Sequence, residues 1–145
     1  MQNSTNTPLY VDSNVFLNAV LYDPAKNPTA KQAKAFLTQI TTGKVTGITS
    51  VLTWDEFVWV ARRELGRDEA NEKGKEFLNF PNLTFKSLTL NIIQHAQEFL
   101  VKYNLRPRDA LHIVTAIDNG LHEIVSFDGD LDEVAEIQRI DLMKS

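Results

Sequence analysis

Cysteine is absent from this chain of 145 residues, which excludes disulfides, thiolate metal sites and a cysteine nucleophile, and fits a reducing compartment. A basic excess is missing too. The net charge of −4 argues against a protein that coats nucleic acid through many Lys and Arg contacts, so a phosphate partner must be met by local basic groups and bound metal. No apolar stretch approaches the roughly 20 residues that cross a bilayer, and Trp54 to Ala61 is soon broken by charge. The opening MQNSTNTP has neither the basic region nor the apolar core of a secretory signal, so cytoplasm is the expected compartment. An apolar fraction of 43% and a charged fraction of 23% then describe an ordinary folded chain, expected to be one domain over residues 1–145 with residues 1–8 as a flexible tail.

What is present is a set of acids placed beside apolar runs. Leu9 to Asp12 reads as a buried strand that ends in a carboxylate, followed by Ser13 and Asn14. Ala33, Phe36, Leu37 and Ile40 predict a helix from Thr29 to Thr42, which Gly43 stops. Val45 to Thr49 is a short strand, and the hydroxyls of Ser50 to Thr53 cap a helix that runs to about Leu65. A polar helix from Asp68 to Phe80, weak at Gly74, precedes a strand from Leu83 to Thr89. Helices follow from Asn91 to Tyr103 and from Pro107 to Gly120, then an apolar strand from Ile124 to Phe127 and an edge strand from Ile137 to Ile140. Strands alternating with helices imply parallel crossovers and a sheet covered on both faces. Ligands of such sheets gather outside the carboxyl ends of the strands. Asp12 and Asp128 lie there, and Glu56 and Asp109 reach the same edge if their helices begin at it.

Each acid also has an ordinary reading. Thr53 to Glu56 matches a capping box, yet this helix is apolar nearly all round and Glu56 falls on its second face with Trp59 and Val60. Asp109 suits the first turn of a helix, but its helix is largely buried, and a buried acid wants a cation. His112, on the same face as Asp109, reads as packing. Asp12 and Asp128 can form Asx-turns, and Asp130 and Asp132 compete with Asp128 for the place facing the crevice. Oxygen ligands without Cys or a His pair favour Mg²⁺ or Mn²⁺ over Zn²⁺.

Taken together, DSNVFL, TSVLTWDEFVWVARREL, RPRDALHIVTAIDNG and IVSFDGDLD resemble the PIN-domain nucleases in order and spacing over nearly the whole chain. The size is similar to that of the VapC toxins of toxin–antitoxin pairs. The resemblance implies a three-layer α/β/α sandwich with a central, mostly parallel sheet, an acidic site for Mg²⁺ or Mn²⁺, and hydrolysis of RNA. By position, Asp12, Glu56 and Asp109 match the three principal acids and Asp128 the fourth. Leu131 stands where many members have an aromatic, which leaves Asp130 as the alternative to Asp128 for the fourth acid. Asn14, Ser50 and Ser126 fall where small polar residues support the acids.

The expected roles are direct metal ligation by Asp12, Asp109 and Asp128, with Glu56 acting through water or orienting the attacking water. Arg62, Arg63 and Arg67, Arg106 and Arg108, and Lys26, Lys31 and Lys34 are candidates to position the substrate backbone. A homodimer is expected through the face around Trp59 and Val60, and an antitoxin would use an apolar groove and an arginine. Rival readings are a PIN fold that has lost catalysis and binds RNA or protein, and a metal-dependent phosphatase of the haloacid-dehalogenase type. The phosphatase needs a second acid where Asn14 stands. A receiver domain likewise lacks its acid pair after the first strand.

Overall fold

The computed structural model describes residues 7–144, so residues 1–6 of the expected tail lie outside it. Five short strands form one sheet in the order β3-β2-β1-β4-β5: β1 (Leu9–Val11), β2 (Gly47–Ser50), β3 (Leu83–Lys86), β4 (Glu123–Val125) and β5 (Gln138–Ile140). Every pairing is parallel, with Tyr10 opposite Ile48 on one side and Ile124 on the other. The sheet is thus entirely parallel.

Alternation along the strands divides the core between two faces. Tyr10, Ile48 and Ile124 face a cluster with Ile92, Phe99, Ile113 and Val114, contributed by α5 (Leu90–Lys102) and α6 (Pro107–Asp118). Val11 and Val125 face the other cluster, built on α1 (Ser13–Leu21), α2 (Pro28–Thr41), α3 (Val51–Leu65) and α4 (Arg67–Leu78). This is the three-layer α/β/α arrangement. With β1 at the centre, successive strands run outward in opposite directions, and the switch between β1 and β4 opens a crevice at their carboxyl ends.

Three local features depart from the sequence reading. Helix α1 was not foreseen: Asp12 caps it by accepting from the Ser13 amide, and its stretch VFLNAVL is too uniformly apolar to show a helical stripe. Helix α3 begins at Val51, with the Ser50 hydroxyl accepting from the Leu52 amide at 3.0 Å. The Thr53 capping box therefore does not form, and Thr53 is buried with its hydroxyl 2.7 Å from that of Thr49. Gly74 is a packing point instead of a weak one, because a Cβ there would lie 2.9 Å from Val58 Cγ2 on α3.

Candidate active site

Two strand ends and two helices deliver the four acids to the carboxyl edge. Asp12 follows β1, Glu56 lies in the second turn of α3, Asp109 sits in the first turn of α6, and Asp128 follows the turn after β4. All four line one open pocket of about 480 Å³, together with Ser13, Asn14, Arg106, Pro107 and Arg108. Helix α3 follows β2 directly at this edge, and the first turn of α6 lines the same pocket.

Asp12, 5% exposed, is the most enclosed of the four acids. Its Oδ1 accepts from the Ser13 amide at 2.7 Å, and its Oδ2 accepts from Ser126 Oγ at 2.7 Å and Asn14 Nδ2 at 3.3 Å. Asn14 also donates to Ser126 Oγ and accepts from the Phe127 amide, so β1 and β4 are tied across the crevice. Ser126 accepts in turn from the Asp128 amide at 3.0 Å. The small polar residues hold the carboxylate that the two central strands share. Ser50 is fully buried as the cap of α3 and acts on the site only by fixing where that helix starts.

Asp109 and Asp128 share one cation. Arg106 donates from Nε to Asp109 Oδ2 at 3.0 Å and from its terminal nitrogen to Asp128 Oδ2 at 2.8 Å. Asp128 Oδ1 meanwhile accepts from the Asp130 amide, and Asp130 lines an adjoining depression with Arg106 and Asp109. Of the arginines expected to position substrate, Arg108 lines the pocket, whereas Arg62 and Arg63 lie in the last turn of α3 outside its lining. Arg63 pairs with Glu64 and stands over the Trp59 ring. Sequence alone did not separate Arg106 from Arg108, since both flank Pro107.

Glu56 makes a contact that the packing reading of His112 did not include. His112, 2% exposed, donates from Nε2 to Glu56 Oε1 at 2.6 Å, and its Nδ1 lies 2.7 Å from the Tyr10 hydroxyl. The available signals were periodic: His112 is i+3 from Asp109 on a helix, and Tyr10 is i−2 from Asp12 on a strand. Burial opposes charge on the ring, but the Glu56 hydrogen bond and the carboxylates of Asp12, Glu56 and Asp109 hold its pKa above the ordinary value. Burial, followed by the Asp12 charge, drives the Tyr10 phenol far up, so it stays protonated.

Asp109 is raised above its ordinary carboxyl range by burial, against the pull of Arg106 and with the charges of Asp12 and Asp128 adding to the rise. A carboxyl whose pKa is higher folded than unfolded costs stability once ionised. That cost is absent below the unfolded pKa and complete above the folded one. Asp109→Asn is therefore expected to melt higher than the native chain at neutral pH without metal, with the difference shrinking as the pH falls toward the carboxyl range. Thermal melts of both proteins at several pH values check this, and a variant that melts lower at neutral pH would contradict it.

The donor set suits a hard divalent cation, being all oxygen, strongly acidic and already drawing a guanidinium between two of its members. As placed, the side chains are spread around the pocket: among the described residues, no group of three His, Asp or Glu side chains closes on a point where an ion would sit. Release of Asp109 and Asp128 by Arg106 would free two of the four for ligation, and the Arg106 side chain is 72% exposed and has room to turn out.

Comparison with known proteins agrees with this architecture. The family model described as PIN domain matches residues 9–137. No curated protein matches the chain. Among solved structures, the chain is similar to VapC20 of Mycobacterium tuberculosis, described as a toxin that cleaves the sarcin–ricin loop, at 18% identity and a TM-score of 0.71 over 90% of this chain and 98% of that one. It is similar to a chain of VapBC2 from Rickettsia felis, bound to a promoter DNA fragment, at 12% identity and a TM-score of 0.71 over 92% and 98%. A toxin–antitoxin complex from Klebsiella pneumoniae gives 16% identity and a TM-score of 0.69 over 92% and 97%. With a family model covering most of its length and the matching three-layer fold, this chain belongs to the PIN-domain family.

Proposed function

We propose that the chain is a divalent-metal-dependent endoribonuclease, the toxin of a toxin–antitoxin pair, that hydrolyses RNA phosphodiester bonds. The observation that carries the proposal is the meeting of Asp12, Glu56, Asp109 and Asp128, from four elements, around one pocket at the topological switch of the sheet. Asp12, Asp109 and Asp128 would hold Mg²⁺ or Mn²⁺ directly, and Glu56 through water. When bound, such an ion supplies a Lewis acid for the phosphodiester and lowers the pKa of water.

The chain's own residues do the rest. Ser13, Asn14 and Ser126 hold the Asp12 carboxylate in one orientation, which keeps the ligand set fixed. Glu56 orients the attacking water by accepting a hydrogen bond from it. Arg108, and Arg106 once turned outward, meet the RNA backbone at the pocket rim, which gives position without base specificity. No side chain acts as a covalent nucleophile. A catalytically silent binding module would have no use for four acids around one pocket.

The partner side of the proposal has its own support. The similar structures include toxin–antitoxin complexes. A groove of about 130 Å³ lined by Phe16, Val20, Leu37, Phe57, Phe77 and Phe80 offers an apolar seat, and the acids that engage Arg106 would accept an antitoxin arginine. The face around Trp59, which is 59% exposed, and Val60 is proposed to pair two copies of the chain. Among the described residues no helix is long and apolar enough to cross a membrane, and the cytoplasm is the proposed compartment.

Incubating a single-stranded RNA with the protein tests the activity: cleavage is expected with Mg²⁺ or Mn²⁺ and none with chelator. Binding to the folded state alone also raises its stability, by about 2.7 kcal/mol at a hundredfold excess over Kd. Millimolar Mg²⁺ or Mn²⁺ is therefore expected to raise the melting temperature of the native chain and to leave Asp109→Asn unmoved. A melting curve that ignores the metal would count heavily against the site.

A further inference from the structure

We infer that His112, steadied by Tyr10, is a positioning residue that aims the Glu56 carboxylate at the attacking water. The inference rests on the nuclease proposal and adds to it a residue outside the four acids. Its basis is a chain of two short hydrogen bonds, Tyr10 hydroxyl to His112 Nδ1 at 2.7 Å and His112 Nε2 to Glu56 Oε1 at 2.6 Å.

The protons in this chain are determined by what each group can do. A carboxylate only accepts, so Nε2 carries a proton toward Glu56 whether the ring is neutral or charged. The Tyr10 hydroxyl donates to Nδ1 in the first case and accepts from it in the second. Either way the ring keeps both hydrogen bonds and one orientation. Tyr10 is 0% exposed and lies in the core with Ile113 and Ile124, so the chain has no outlet to solvent and cannot pass a proton through. Its capacity is to aim.

Glu56 is the acid that needs aiming. Its side chain is 14% exposed and long enough to adopt several rotamers over a pocket of this size. Asp12, by contrast, is held through both oxygens. Among the described residues the Glu56 carboxylate has one hydrogen-bond partner, His112 on Oε1, which leaves Oε2 for a water molecule. A residue outside the reacting groups that orients one of them commonly accounts for roughly 10–100-fold in activity.

The test measures kcat and KM of the full chain on a single-stranded RNA with Mn²⁺. Glutamine places its amide near the ring's Nε2 and keeps the donor to Glu56, whereas asparagine places its amide near Nδ1 and loses that donor. His112→Asn is expected to lower kcat roughly 10–100-fold with KM unchanged, and His112→Gln to recover most of the loss. In a Glu56→Gln background, His112→Asn should cost nothing further. Equal losses in the two His112 variants, a full additional loss on top of Glu56→Gln, or native kcat throughout would each overturn the inference. If both ring replacements fail to fold, Tyr10→Phe decides: a lowered kcat at native KM supports the inference and a native kcat overturns it. Asp12→Ala separates the two levels. If it still cleaves, the nuclease proposal itself falls; if it is silent while His112→Asn turns over at the native rate, only the positioning role falls.

Discussion

Asp12→Ala is expected to lower RNA cleavage by at least about 10³-fold, because losing several kcal/mol of transition-state stabilisation costs a factor of ten for each 1.36 kcal/mol. The size follows from where Asp12 stands. It ends the central strand, is 5% exposed, and receives donors from Ser13, Asn14 and Ser126 on both of its oxygens. No neighbouring acid can take its place, since Glu56 is held by His112 while Asp109 and Asp128 already serve as ligands in the proposed site. Asp12→Asn, which keeps the shape and removes the charge, should be nearly as inactive.

Stability should change little in the same variants, which separates a chemical loss from unfolding. Removing the carboxylate deletes the cap of α1, a loss of about 1 kcal/mol, and leaves the Ser126 hydroxyl without its acceptor. Against this it removes one of the charges that raise Asp109. Melting within a few degrees of the native chain, together with lost cleavage, is the expected pair of results. Cleavage at a tenth of the native rate or better would remove Asp12 from the site.

How far the site could be read from the sequence depends on what kind of interaction made each part. Asp12, Asp109 and Asp128 stand at ends of elements whose apolar period is plain, so their common edge follows from alternation and parallel crossovers. Glu56 had two competing readings, and the choice depended on where β2 ends. Because β2 runs through Ser50, that hydroxyl caps α3 and Glu56 moves beyond the capping position, free to meet α6. The long-range partners of His112 and Arg106 were not legible in the sequence for one reason. Their roles come from pairs far apart in the chain, such as His112 with Glu56 and Arg106 with Asp128, and no local pattern ranks such pairs. Gly74 follows the same logic: intrinsic propensity marks a weak helix, whereas the crossing against Val58 needs the missing side chain.

The largest stability effect is expected outside the lining of the acidic pocket, at Phe77→Ala. Phe77, 4% exposed and the one aromatic residue of α4, packs against three others, with ring centroids 4.7 Å from Phe16, 4.8 Å from Phe57 and 5.1 Å from Phe85. Truncating a buried phenylalanine costs about 3–5 kcal/mol, and a chain of this length loses roughly 2–4 °C for each kcal/mol, so the melting temperature should fall by roughly 10 °C. The groove that Phe77 lines is already open on one side, so the cavity left behind can admit water in place of collapsing.

The consequence reaches the site through the backbone. Phe16 belongs to the helix that Asp12 caps, and Phe57 follows Glu56 directly on α3. Loosening the aromatic cluster should therefore weaken metal binding and turnover together at temperatures well below the melt, whereas a variant confined to the opposite face at the amino end of the strands, such as Leu121→Ala ahead of β4, should lose stability with less effect on the metal response. Melts with and without Mn²⁺ for both variants distinguish the two. An equal metal response in Phe77→Ala and the native chain would mean that α1 and α3 hold the acids without help from α4.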